Sequence, residues 1–222
     1  VQEPLRKHRQ SGQVLYSRPF LPVYDAVALG LFCRFVWGCA SQQVLELYNQ
    51  HVSANHLDVG VGTGYFLDRC RFPVANPRLV LLDLNPNSLD KAARRLARYH
   101  PRTYRGNILA PVEVAPPGFD SVGLTHVLHC IPGAAEAKAV VLEHVEAVLN
   151  PGGVLFGSTL LFRGMKMGLA AKLFMSLTNA LGLMSNREDD LEGLKHNLES
   201  RFPESCVTLV GYDALFWARK AG

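Results

Sequence analysis

Leu57-Asp58-Val59-Gly60-Val61-Gly62-Thr63-Gly64-Tyr65-Phe66-Leu67 is the stretch on which the reading of the fold turns. His56–Val59 reads as a short apolar strand, and Tyr65–Arg71 as the start of a helix. A strand that passes into a helix through so tight a turn needs residues that tolerate unusual dihedrals or leave room for a ligand. Gly60, Gly62 and Gly64 bring backbone N–H groups close to a bound molecule, and the helix start favours a carboxylate or phosphate. A dinucleotide site uses the spacing G-x-G-x-x-G. Here the spacing is G-x-G-x-G, led by Asp58 at the strand end. That acid is placed to hold an ammonium group or its water shell, while the glycine backbone packs beside an amino-acid moiety.

The flanking sequence alternates as a βαβ chain does. Leu79–Leu82 is a continuous apolar strand, the pattern of a sheet covered on both faces. Ser88–Tyr99 reads as a helix with Ser88 as N-cap, Thr103–Asn107 as a third strand and Phe119–Thr125 as a fourth. Ala134–Leu149 reads as a long helix stopped by Asn150-Pro151-Gly152-Gly153, followed by a fifth strand at Val154–Thr159. Met165–Leu183 is a long apolar helix and Asp189–Arg201 a more polar one. Cys206–Val210 and Asp213–Ala218 form a hairpin at one sheet edge. Upstream, Asp25–Cys39 has helical length and Ser41–His51 has helical periodicity. The pattern predicts a doubly wound α/β domain with seven strands. Residues 1–52 form an N-terminal helical cap over the acceptor site, 53–222 the core, and 161–188 a helical acceptor-pocket segment within it.

Two strand ends offer further ligand contacts. Asp83 follows Asp58 by 25 residues, and a carboxylate there can accept both hydroxyl hydrogens of a ribose; the plainer reading caps the Asn85-Pro86-Asn87 turn. Leu84 is placed to cover one face of an adenine. Asn107 has an amide donor and a carbonyl acceptor for the adenine edge, with Ile108 packing on the ring; alternatively Asn107 only stabilises its own loop.

Bulk properties restrict the function classes. The 222 residues suit one domain, or one with an appended cap. A net charge of +4 is too small and too evenly spread for a nucleic-acid groove. The basic run Lys91–Arg98 is most simply a solvated helix face. The five cysteines match neither a zinc motif nor a disulfide framework; they fit a reducing cytoplasm, with Cys39–Cys70 or Cys33–Cys39 pairing left open. No apolar stretch reaches the length of a membrane span, and the polar, basic start does not read as a signal peptide.

Together these residues carry a resemblance. Asp58–Gly64 resembles the first motif of the class I S-adenosylmethionine-dependent methyltransferases of small-molecule type. Asp83 is similar to that family's acid after the second strand, and Gly106–Asn107 to its third motif, usually Gly-Asp or Ala-Asp. Phe119-Asp120-Ser121-Val122 resembles the fourth, and Leu149–Gly153 the turn before strand five. The two C-terminal strands fit its antiparallel strand seven, inserted beside strand six. The resemblance spans roughly residues 55–220. It implies a Rossmann-like, mostly parallel sheet and S-adenosyl-L-methionine as cofactor. On it, the three glycines pass beneath the methionine part, Asp58 sits near its amino group, Asp83 holds the ribose and Asn107 the adenine. Asn107 departs from the usual acid and lacks its charge assistance. Thr125 or His126 contributes backbone near the methionine end. Tyr16, Tyr24 or Tyr65 closes over the cofactor, although Tyr65 is also placed simply to pack its helix.

Methyl transfer needs a base only where the acceptor must lose a proton. His126 and His129, after the fourth strand, are the candidates, since histidine takes a proton near neutral pH; buried, loop-positioning histidines are the alternative. Neither supplies a convincing metal set, and Cys130 reads as packing. Met165, Met167, Leu169, Leu173, Phe174, Met175, Leu177 and Leu181 suit an apolar small-molecule acceptor, with oxygen as the favoured atom. They equally suit helix packing or the face of a homodimer. An NAD-dependent oxidoreductase predicts the other glycine spacing, and a non-enzymatic binding or scaffold protein does not require the intact Asp58–Gly64 motif.

Overall fold

The computed structural model describes residues 41–114, 118–133 and 135–222. The readings made for Tyr16, Tyr24, Cys33, Cys39 and the 25–39 helix lie outside them. Helix α1 (Ser41–His51) leads into strand β1 (Asn55–Val59), followed by α2 (Tyr65–Arg69), β2 (Arg78–Asp83), α3 (Pro86–Arg95) and β3 (Arg102–Arg105). Then come β4 (Phe119–Thr125), α4 (Ala135–Val148), β5 (Leu149–Leu160), α5 (Leu169–Ala180), α6 (Leu191–Glu199), β6 (Glu204–Val210) and β7 (Asp213–Arg219). The seven strands form one sheet in the order β3-β2-β1-β4-β5-β7-β6. Strands β1 to β5 pair in parallel, and β7 runs antiparallel to both β5 and β6. The expected architecture is therefore the observed one. The strand order reverses between β1 and β4, and their carboxyl ends open the crevice where doubly wound sheets bind ligands.

Each sheet face carries its own apolar layer. One gathers Leu57, Val80, Val122, Leu142 and Val145 with the inner side of α6. The other gathers Leu79, Leu81, Phe66, Leu89 and Phe156 with Val44, Leu47 and Tyr48 of α1. Helix α1 is thus built into the core layer alongside α2 and α3. Two helix starts differ from expectation. Helix α3 begins at Pro86, with Asn85 as N-cap accepting from the Asn87 N–H at 2.9 Å; Pro at the first helical position has the right φ and no N–H to waste. Ser88 is instead buried. Helix α5 is shorter than the 165–183 pattern, because Gly164 and Gly168 precede it.

Helix α5 divides its apolar residues. Met175 is buried against Leu160, with Phe162, Met167, Phe174 and Met184 packed around the pair. Leu169, Leu173, Leu177 and Leu181 point outward, Leu169 at 84% exposure and Leu173 at 69%. These four leucines line no interior space. No helix among the described residues is long and apolar enough to cross a membrane.

The sheet is tight where β4, β5 and β7 meet. A Cβ added at Gly157 would strike the Leu124 carbonyl oxygen and lie 2.6 Å from its carbon. Backbone cannot yield as a side-chain tip can, so Gly157→Ala is expected to cost about 3 kcal/mol. Urea unfolding checks this; a loss below about 1 kcal/mol would mean that β4 and β5 separate easily.

Candidate active site

The glycine turn leaves β1 with Gly60, Gly62 and Gly64 at φ of 68°, 55° and 72°. An L side chain rarely adopts that backbone conformation. The Gly60 N–H donates to the Leu82 carbonyl at 2.8 Å, and the Gly64 N–H to Val61 at 3.0 Å. The Arg95 guanidinium closes the turn from α3, donating to the carbonyl and hydroxyl of Thr63, each at 3.0 Å. Across the crevice, the Val127 side chain occupies the place where a Gly60 Cβ would sit. The loop after β4 therefore rests directly on the glycine turn.

Asp83 ends β2 beside this turn. Its carboxylate accepts from the Asn85 N–H at 2.8 Å and from the Gly62 N–H at 3.3 Å. It thus caps its own turn and also reaches the glycine loop. Burial pushes its carboxyl up to about 6, against the lowering effect of the Asn85 and Gly62 N–H groups. Asp58 lies deeper: it is buried, and its Oδ2 accepts from the Tyr48 hydroxyl at 2.8 Å. Asn107 is exposed, and its Oδ1 accepts from the Leu109 N–H at 3.1 Å in its own loop. Ile108 is buried in the core, and Leu84 is half-buried. Tyr65 lies half-buried at the start of α2, edge-on to Phe66 with the Arg69 guanidinium 3.9 Å above its ring.

The loop after β4 brings the two histidines together, with ring centroids 5.8 Å apart. Their environments differ. His126 has φ 56°, a left-handed conformation uncommon for a non-glycine residue. Its Nε2 lies 2.9 Å from Oδ2 of Asp213, a buried carboxylate at the start of β7. A carboxylate only accepts, so Nε2 carries a proton. His129 is buried, and its Nδ1 accepts from the Leu160 N–H at 3.2 Å, which places its proton on Nε2. Its backbone carbonyl accepts from the Ser185 N–H at 2.7 Å. Burial, then the neighbouring His126 and Lys138, hold the His129 imidazole well below the ordinary histidine range. His129 is accordingly a neutral brace between β5 and the segment after α5. Lys138 adds a second brace, pairing with Asp189 and donating to the Ser185 carbonyl at 3.1 Å.

Asp213 was not among the residues singled out by sequence. Its acid opens the last strand one residue after the Gly211-Tyr212 turn, but the antiparallel insertion of β7 beside β5 is what delivers it to His126. Tyr48 was read only as helix periodicity.

These features suit a nucleoside-bearing sulfonium cofactor. The turn from Gly60 to Gly64 presents left-handed glycine backbone at the crevice, and the carboxylates of Asp58 and Asp83 flank it. At the same edge, the buried Asp213 Oδ1 and the Ser158 and Thr159 hydroxyls find no hydrogen-bond partner among the described residues. Buried polar atoms seldom stay unpaired without a reason. No cluster of three or more His, Cys, Asp or Glu side chains arranged for a metal occurs among the described residues.

Comparison with known proteins agrees with this geometry. Residues 57–155 match the family model described as a methyltransferase domain. The demethylluteothin O-methyltransferase of Streptomyces thioluteus is 40% identical over 90% of this chain and 87% of its own length. The physcion biosynthesis cluster O-methyltransferase of Aspergillus chevalieri is 35% identical over 95% of this chain and 96% of its own. Among solved structures, the complex of DhpI with SAH has a similar fold, with a TM-score of 0.66 at 16% identity, covering 98% of each chain. With identity at this level along nearly the whole chain, on a sheet whose crevice suits the cofactor, the chain belongs to the class I S-adenosylmethionine-dependent methyltransferases.

Proposed function

We propose that this enzyme methylates a hydroxyl oxygen on an apolar, aromatic small molecule, with His126 taking the hydroxyl proton. One observation carries the reading: the His126–Asp213 pair at 2.9 Å, on the loop that seats Val127 against Gly60. The two relatives compared above are both O-methyltransferases by name. Bound S-adenosylmethionine supplies a methyl group already activated by its sulfonium centre. The protein's task is then to place the acceptor, exclude water and receive one proton.

The proton of the acceptor hydroxyl passes to the His126 imidazole. Nε2–H stays bonded to Asp213, whose carboxylate stabilises the imidazolium that forms. His129 takes no proton in this reading; it holds the end of β5 and Ser185 around the acceptor space. Around the cofactor, Gly60, Gly62 and Gly64 bear the methionine part, with Thr125 beside it at the end of β4. Asp58 faces the ammonium group, and Asp83 accepts from the ribose. Leu84 covers the adenine. Asn107 uses its Oδ1 within its own loop, so it offers the adenine edge its amide donor. Ile108 supports that loop from the core. The acceptor lid is assigned to residues 1–52, and a reducing cytoplasm suits the free thiols of Cys70, Cys130 and Cys206.

Two predictions test this reading. Asn tolerates the left-handed backbone that His126 adopts. His126→Asn should therefore fold normally, bind S-adenosylmethionine unchanged and lower kcat about 100-fold or more on phenolic acceptors. Turnover measured with a panel of phenols and hydroxy-heteroaromatics, with the product's new bond assigned by NMR, decides it. Wild-type kcat in the variant, or a product methylated on nitrogen, would sink the proposal.

The second concerns pH. Only the ionised Asp83 can accept both ribose hydroxyls, and burial sets its carboxyl at about 6. Affinity for S-adenosylmethionine should be flat above that range and fall about tenfold per pH unit below it. Titration calorimetry across the range reads this directly, and Asp83→Asn should bind weakly with no such step. A wild-type affinity that does not fall on acidification would remove Asp83 from the ribose.

A further inference from the structure

Beneath the glycine turn lies a buried polar chain that the reaction does not use. Alternation along β1 puts His56 and Asp58 on the same sheet face, the one covered by α1. Tyr48 of α1 donates its hydroxyl to Asp58 Oδ2 at 2.8 Å. His56 Nε2 lies 3.5 Å from the same oxygen, and its Nδ1 lies 2.8 Å from the Ser121 hydroxyl. Ser121 in turn accepts from the Ser53 N–H at 2.9 Å and sits 2.7 Å from the Ser53 hydroxyl. Because a carboxylate only accepts, the imidazole proton belongs on Nε2. Nδ1 then accepts from Ser121, so the bonds from Ser121 to His56 and from His56 to Asp58 both run toward the carboxylate. Burial, and next the charge of Asp58, push the Tyr48 phenol well above its ordinary range, so it stays a donor.

The surrounding packing is fitted to this chain. Tyr48 stacks on Phe66 at 5.5 Å and meets Phe156 edge-on at 4.9 Å. His56 stacks on Phe156 at 5.6 Å. Gly123 lies opposite Asp58 in the sheet register. A Cβ there would stand 2.7 Å from Asp58 Oδ2 and 3.3 Å from the His56 ring. An apolar layer has thus given up a side chain on β4 to hold a carboxylate, a phenol and an imidazole in contact. Burying such groups costs free energy that hydrophobic packing would not, so stability alone does not account for them.

We propose that Tyr48 and His56 are positioning residues for the cofactor, holding the Asp58 carboxylate so that its second oxygen serves the ammonium end of S-adenosylmethionine. The inference rests on the role given to Asp58 above. With Oδ2 occupied, the carboxylate is locked about its χ angles. The amino-acid end of the cofactor then meets a preorganised acceptor instead of a rotating one.

Binding measurements with two ligands separate this from a merely structural role. S-adenosylhomocysteine carries the amino-acid end; 5′-methylthioadenosine lacks it. Tyr48→Phe keeps the aromatic stack and removes only the hydroxyl. It should weaken S-adenosylhomocysteine about tenfold, the scale of one hydrogen bond to a charged group, and leave 5′-methylthioadenosine within about twofold. In an Asp58→Asn background the same substitution should have no further effect, since it acts through that carboxylate. His56→Phe, which keeps the stack on Phe156, should repeat the ligand-selective loss. Equal affinity of Tyr48→Phe and wild type for S-adenosylhomocysteine would overturn the proposal, and so would an equal loss for both ligands. A wild-type protein that binds neither ligand would instead overturn the cofactor assignment itself.

Discussion

Everything at the ligand edge depends on one close approach: the Val127 side chain lying where Gly60 has none. It joins two loops that are far apart in sequence and that carry different duties. One presents backbone N–H groups, and the other presents histidines. Because the contact is van der Waals packing between a backbone and a branched side chain, it has little freedom to slide. The distance from the glycine turn to His126 is therefore fixed by sterics before any ligand arrives. The left-handed backbone of His126 belongs to the same constraint, since strain of that kind persists only where neighbours over-determine the geometry.

The second loop is itself held from behind. His129 gives its ring nitrogen to β5 and its carbonyl to the segment after α5, while Lys138 ties that segment to α4. Two histidines three residues apart are thereby divided by environment. The one that keeps a little exposure pairs with a carboxylate, and the fully buried one is confined to its neutral form. Burial and partner choice make this division, and neither is visible in the residue type.

The α/β alternation, the seven strands and the glycine turn were legible because they rest on local patterns: continuous apolar runs, a G-x-G-x-G spacing and turn residues at helix ends. Asp58 and Asp83 were legible for the same reason, each standing at a strand end. What escaped is what only the tertiary fold creates. Tyr48 looked like one more apolar position of an amphipathic helix, yet its hydroxyl meets Asp58. Composition could not divide the apolar residues of α5, of which the fold packs Met175 and Phe174 inward and leaves Leu169, Leu173, Leu177 and Leu181 exposed. Ser88 looked like a cap until Pro86 set the helix start earlier. Asp213 gave no local signal, because its partner lies 87 residues upstream.

That separation bears on how the molecule comes into being. The glycine turn, Asp83 and the loop that carries Val127 lie within a contiguous stretch of parallel βαβ units that precedes β6 and β7 in the chain. Strand β7, although late in the chain, is inserted between β5 and β6. Chains emerge from the ribosome N-terminal end first. A nascent chain would thus assemble the glycine turn and the loop that carries His126 before Asp213 joins them. The hairpin's docking is the step that brings the Asp213 carboxylate to His126.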